Sequence, residues 1–245
     1  MKRIFLIALL FLLLLPVTGQ GTAIYNTRLY QSYIQDEMYL WKGIIAEMNS
    51  EYDTKGDLAL LYDLCFTYYG YIGYLISQEE EKAAKSFLDR AMERTGELET
   101  ALDGRPEVLA LQGALIGYRL VLSKFTAMFL GPKAYKYISS AYESADTCFN
   151  CNVEMGNMRF YTPKFLGGDK TEAIQHYKKA VAILETSKLK SEHNWIYMNT
   201  VLLLANAYKE TDQEELACQL YKQILEYEPA AEWVRKDLYS KCKSP

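Results

Sequence analysis

Residues 160–180 read FYTPKFLGGDKTEAIQHYKKA. Two adjacent glycines ahead of a helical pattern can cradle a phosphate, and an exposed aspartate can bind metal or do acid–base work. The required spacings are missing. A phosphate loop needs G-x4-G-K-[ST], whereas GGDKT follows PKFL and puts Asp169 where it would repel phosphate. Neither G-x-S-x-G nor H-E-x-x-H occurs, and the histidines are His176 and His193. His176 lies between the packing positions Ala173 and Tyr177 and reads as a surface or groove-edge residue. His193 follows Ser191 and Glu192 and reads as a solvated turn residue. An enzyme would have to assemble its site from scattered groups such as Arg159, Asp169 and His176, in a pocket joining a base to an activated nucleophile. The same residues make a helix boundary without further assumption. Gly167 and Gly168 take the left-handed conformation that ends one segment, Asp169 caps the next helix, and Glu172 completes a capping box.

Cysteine chemistry is the other candidate. Cys148-Phe149-Asn150-Cys151 is a C-x2-C unit. Redox units of this kind sit at a helix start after a strand, and no strand is expected here. A structural zinc would need a second ligand pair, which is not evident, so no metal or other cofactor is expected. A local disulfide or two free thiols remain. Cys65, Cys218 and Cys242 complete an odd set of five.

The elements that position these groups are helical. Lys2 and Arg3 precede an apolar run from Ile4 to Leu15, then Pro16 and small residues. That order is a secretory signal peptide, assigned to residues 1–19, and the run is too short to span a bilayer comfortably. The mature chain, residues 20–245, is read as exported, to the periplasm or beyond, with no stable membrane span. Loss of Lys2 and Arg3 takes the formal charge from −4 to −6, a poor balance for nucleic-acid binding. Export also makes disulfides possible. Hydrophobic residues form 50% of the chain, enough for a sizeable core. Apolar spacings of three and four predict helices near 24–50, 56–77, 79–100, 106–127, 132–147, 150–161, 170–187, 192–210, 212–227 and 230–242. Ser77 with Glu80, Asp169 with Glu172 and Asp212 with Glu215 mark capped starts, and Pro106 and Pro132 suit first turns.

The helices repeat a pattern. Ala217, Tyr221 and Ile224 follow a small–large–apolar spacing, with Pro229 beyond them, and Val201, Leu204, Ala205 and Tyr208 supply a matching first helix. Ala173, Tyr177 and Ala180 repeat the second-helix spacing, as do Ala134, Ile138, Ala141 and Ala84, Leu88, Ala91. Tyr69, Ile72, Gly73 and Ile76 have first-helix spacing. This resembles the tetratricopeptide repeat (TPR) family, well over residues 195–229, fairly over 66–93 and by half-repeats elsewhere. More narrowly, FLGPKAYKYISSAYESAD followed by the TPK…GGD segment looks like a group of small exported bacterial TPR proteins. The resemblance implies an all-α, right-handed TPR-like solenoid of antiparallel helix pairs with a C-terminal capping helix, and a binding role.

In such folds the first helix of each pair lines a concave groove. On that basis Tyr74, Tyr118, Asn199, Leu202, Asn206 and Lys209 are the expected partner- or ligand-binding residues, with Gly113, Ala114 and Gly117 leaving room. Tyrosine, with a flat apolar body and one polar tip, suits a peptide or sugar. The leading function is a non-enzymatic scaffold that binds a protein or peptide partner. The alternative is a solute- or peptide-binding accessory subunit of an envelope uptake system. At the C-terminus, a hairpin centred beside Pro229 sets Cys218 and Cys242 at one height, and a disulfide there would lock the capping helix onto the last repeat.

Overall fold

The computed structural model describes residues 20–123 and 127–242. The expected signal peptide lies outside them, as does 124–126 at the end of the helix expected over 106–127. Among the described residues every regular element is helical. The first is α1 (Gln20–Ile34), followed by α2 (Trp41–Lys55), where a single helix over 24–50 was expected. The chain breaks at Asp36, which is left-handed at φ 60°. Ser32 holds the new direction by accepting the Trp41 indole N–H at 2.8 Å.

Four pairs follow: α3 (Leu58–Ser77) with α4 (Glu81–Ala101), α5 (Pro106–Leu122) with α6 (Ala127–Ser144), α7 (Phe149–Tyr161) with α8 (Lys170–Glu185), and α10 (Trp195–Lys209) with α11 (Glu214–Tyr227). A single turn, α9 (Lys188–Ser191), separates the last two pairs. The small–large–apolar rows of the second helices are the packing surfaces. Ala84, Leu88 and Ala91, Ala134, Ile138 and Ala141, Ala173, Tyr177 and Ala180, and Ala217, Tyr221 and Ile224 are all buried. Glycine on the first helix admits the large member. A Cβ at Gly113 would stand 2.5 Å from Ile138 Cγ1, and one at Gly156 would stand 2.6 Å from the Tyr177 ring. Gly113 therefore serves helix packing and opens no space in a groove, and Ala114 is buried beside it.

Several local expectations are corrected. On α3 the buried row is Tyr68, Tyr71, Ile72 and Leu75, while Tyr69, Gly73 and Ile76 are half-buried. This helix packs against α1, α2, α4 and α5, so its buried stripe is wider than one pair requires. Ser77 ends α3, donating to the Tyr74 carbonyl at 2.7 Å, and α4 starts without a side-chain cap. Asp212 is left-handed at φ 58°, and α11 likewise starts uncapped. Both turns are too tight for an extended N-cap and need one left-handed residue. Pro132 lies inside α6 and not in its first turn. In place of a regular helix over 230–242, Val234–Leu238 forms a π-turn and Tyr239–Lys241 a 3₁₀ turn.

The ends of the row meet. Tyr30 of α1 donates to Glu228 at 2.9 Å, beyond the end of α11. The Trp41 and Trp195 rings meet edge to face at 5.2 Å, and Tyr33 meets Trp233 at 6.0 Å. Gly70 of α3 makes this closure possible, since a Cβ there would fall 2.8 Å from both the Trp41 and the Trp195 indoles. Cys218 is bonded to Cys242, with a Cα–Cα distance of 5.9 Å, which ties the C-terminal segment to α11. Among the described residues no helix is long and apolar enough to cross a membrane.

Candidate functional site

The first helices α3, α5 and α7 lie side by side. Asn150, at the start of α7, donates to the Glu107 carbonyl at the start of α5 at 2.9 Å, across 43 residues. The same offset along two helices running together brings Tyr118 level with Tyr161. From the other side Tyr69 of α3 stacks on Tyr118, centroids 5.3 Å apart and planes at 23°. Gly73 makes room for this, because a Cβ there would sit 2.8 Å from the Tyr118 hydroxyl.

Glu154 of α7 lies among these rings and is only 5% exposed. Asn157, one turn on, donates to its Oε2 at 3.0 Å and more loosely to the Tyr69 hydroxyl at 3.4 Å. Tyr177 of α8 donates to Asn157 Oδ1 at 2.8 Å, fixing which way the amide points. Burial pushes the Glu154 carboxyl up to about 7, against the pull of hydrogen bonds from Asn157 and Tyr69. Among the described residues it forms no ion pair, and such a carboxyl is expensive to ionise. Tyr69 and Tyr118 have phenols raised by burial first and then by the Glu154 charge, and Tyr177 by burial, Tyr161 and Glu154. Tyr161 is 68% exposed, yet burial and Glu154 raise its phenol too. The cluster can donate hydrogen bonds and offer aromatic faces around an uncompensated acid.

The expected groove residues do not form one surface. Tyr118 belongs to this cluster. Tyr74 does not: its ring stacks on Tyr71 at 5.9 Å, and its raised phenol answers to burial, Glu80, Asp36 and Tyr39, which places it beside the turn after α1. On α10, Asn199 and Leu202 are half-buried, Leu202 against the core, while Asn206 and Lys209 are exposed. Glu154, Asn157 and Tyr161 were missed because α7 carries no recognisable first-helix spacing. The faint signal was the polar pair Glu154 and Asn157 one turn apart in NVEMGNM.

The GGD segment is a tied loop. Gly167 is left-handed at φ 94°. Gly168 is not left-handed and is needed for close approach, since a Cβ would lie 1.7 Å from the Thr162 carbonyl oxygen. Asp169 caps α8 by accepting from the Thr171 and Glu172 amides at 2.8 and 3.1 Å. The expected box does not close, because the Asp169 amide donates to the Arg159 carbonyl at 2.8 Å and Glu172 turns to Arg159 at 3.2 Å. Arg159 also holds the Gly167 carbonyl at 3.0 Å. His176 packs edge-on to Tyr142 at 5.0 Å, and burial lowers its pKa. Arg159, Asp169 and His176 are thus held by structural contacts.

Cys148 and Cys151 are bonded, Cα atoms 5.3 Å apart, and Cys65 is a buried free thiol. His193 is the exposed turn residue expected, left-handed at φ 51°, with its ring stacked on Tyr227 at 5.1 Å and its Nδ1 3.4 Å from the Tyr30 hydroxyl. It borders an open cleft of about 420 Å³ with Glu185, Ser187 and Lys190, whose charged pair Glu185–Lys190 is already joined. Among the described residues no group of His, Cys, Asp and Glu is placed to hold a metal.

No protein-family model and no curated protein matches the sequence. Solved structures do show its shape. The chain is similar to a thermophilic TPR protein of Thermus thermophilus, at 14% identity over 89% of this chain and 97% of that one, with a TM-score of 0.58. It is similar to the HusA haemophore from Porphyromonas gingivalis, at 18% identity over 79% and 96%, with a TM-score of 0.51. A looser likeness, with a TM-score of 0.36 at 13% identity, is to YrrB, a TPR protein with an unusual peptide-binding site. The fold is therefore all-α and TPR-like.

Proposed function

We propose that this chain is an exported, non-enzymatic TPR-like scaffold that binds a protein partner. The observation that carries the reading is a row of uncovered apolar side chains at one end of the first helices. Tyr161, which ends α7, and Phe165 and Leu166 beyond it are 68%, 86% and 66% exposed, and Val121 and Phe129, at the level of the α5–α6 connection, are 60% and 78% exposed. The α5–α7 register sets both loops at the same end. Large apolar side chains left exposed at one end of a fold are what partners cover. Two disulfides and the leader-like N-terminus favour action outside the cytoplasm.

The test is quantitative affinity capture from an envelope fraction with the wild-type chain and a Phe165→Ser/Leu166→Ser double variant. The scaffold reading expects a discrete protein retained by the first and lost by the second at equal stability. Equal capture by both, or capture by neither, overturns it. A second reading, the solute-binding accessory subunit, is favoured by the Glu154 cluster, whose aromatic faces and buried acid could enclose a small molecule. A haemophore shares the fold, but at 18% identity it lends that reading nothing beyond shape.

A further inference from the structure

We propose that the cluster formed by Tyr69, Tyr118, Glu154 and Tyr161 is a receptor for an alkylammonium or guanidinium group, and that it takes a lysine or arginine side chain of the partner. The inference rests on the binding reading above and adds the chemistry of what is bound.

Glu154 is the main determinant. It is nine-tenths and more buried, it accepts from the Asn157 amide and the Tyr69 hydroxyl, and among the described residues no cation pairs with it. Folding thus leaves a carboxyl whose ionised form lacks a counter-charge. The other carboxylate acting on this wall is Glu210, just past α10, which with Glu154 raises the Tyr161 phenol but is already paired with Lys170 at 2.8 Å, so Glu154 is the charge left without a partner. An anionic ligand would add to that repulsion, and a purely apolar one would leave it unrelieved. A cation would relieve it. The neighbours suit a cation as well, because neutral tyrosine rings present electron-rich faces, and their raised phenols keep them neutral. A metal ion is a weaker fit, since a lone carboxyl among phenols does not make up a divalent site.

Shape selects a side chain over a bulky cation. The acid is deep while Tyr161, seven residues later on the same helix, is open to solvent. Lysine and arginine carry their charge at the tip of a thin apolar stem, which can run along tyrosine faces while the tip meets the acid. The apolar loop residues after Tyr161 would then cover the flanking part of the partner.

The test is an NMR titration of the full mature chain with ring-labelled tyrosine. The probes are the capped tripeptides Gly-Lys-Gly and Gly-Arg-Gly, with Gly-norleucine-Gly as the neutral counterpart of the same length. A free amine, n-butylammonium, distinguishes a small-molecule source from a peptide one. The expected result is movement of the Tyr69, Tyr118 and Tyr161 signals, with at least one cationic peptide binding about ten-fold tighter than norleucine. Glu154→Gln, the same shape without the charge, should abolish that preference, and Tyr118→Phe should largely keep it. Norleucine binding as well as lysine, a preference surviving Glu154→Gln, or no movement up to about 10 mM of any peptide would overturn the inference. Butylammonium binding while the peptides do not would also overturn it, in favour of a small amine. If affinity capture yields a partner that Glu154→Gln still binds fully, the cation site fails while the scaffold reading stands. If no partner is captured but the lysine preference is present, the reverse holds.

Discussion

Glu154 and Asp169 are carboxyls in opposite situations, and their responses to pH should differ in sign. Glu154 is raised from 4.5 to about 7 by burial. An acid whose folded value lies above its unfolded one weakens the fold as pH rises between those values, and the loss is complete above the higher one. Its upper size is about 3 kcal/mol, taken from the shift at about 1.4 kcal/mol per unit. Glu154→Gln should therefore be more stable than wild type at pH 8 and nearly equal at pH 4.5, measured by urea unfolding. Asp63, raised to about 6 by burial, will leave a residual slope of the same sign. A variant less stable than wild type at pH 8 would mean that Glu154 is ionised and held by a partner group in the fold. Asp169 is lowered by the Glu172 and Thr171 amides, so its contribution is present at neutral pH and disappears as pH falls through its folded value. Asp169→Ala should lower the melting temperature by a few degrees, and Asp169→Asn should barely change it, because asparagine also caps. Binding lost in a normally folded Asp169→Asn chain would make that carboxylate functional. The cap was legible because it depends on neighbours in sequence. The Glu154 site was not, because its members come from α3, α5, α7 and α8 and meet only through the register of helices on one another.

The second helices were the most legible elements, since their small residues recur at a fixed spacing that only close packing explains. The first helices were harder. α3 is packed on so many sides that its row shifted by one residue relative to the expected one, moving Tyr69 to the inner wall and Tyr74 away from it. The α1–α2 break carries no glycine or proline, so it left no mark in the sequence. Glycines test the packing directly. Gly70→Ala should destabilise by about 1–3 kcal/mol, because its Cβ would strike two indoles whose positions close the row. Gly96, inside α4, has nothing within 4 Å of where a Cβ would stand, and should behave oppositely. Alanine there should add up to about 1 kcal/mol through helix propensity. Thermal or urea unfolding of both variants measures the contrast. A neutral Gly70→Ala would mean that the Trp41–Trp195 contact is loose.

At the scale of the whole molecule, the row of pairs is closed at its seam by Tyr30, Tyr33, Trp41, Trp195 and Trp233, and by the disulfide that ties the last segment down. Antiparallel arithmetic around Pro229 brought Cys218 and Cys242 to one height. The closure through α1 had no sequence signal, since it joins positions more than 150 residues apart, as Tyr30 and Glu228 show at a separation of 198. Cys218→Ser/Cys242→Ser should lose up to about 3 kcal/mol in the loop-entropy picture for a bridge spanning 24 residues. Its amides over 231–242 should exchange faster in hydrogen-exchange mass spectrometry. Unchanged exchange there would show that Ala231, Val234 and Trp233 hold the segment by packing alone.

The central claim is that this molecule works by presenting one end of its inner helices to another protein. Site-specific photo-crosslinking tests it most directly, with a photoreactive phenylalanine analogue at Phe165, 86% exposed beside the Tyr161 wall, and for comparison at Lys85, exposed on α4. In cells that export the chain, irradiation should give one discrete protein adduct from position 165 and none from position 85. Adducts of equal yield from both positions, or none from position 165, would contradict the account.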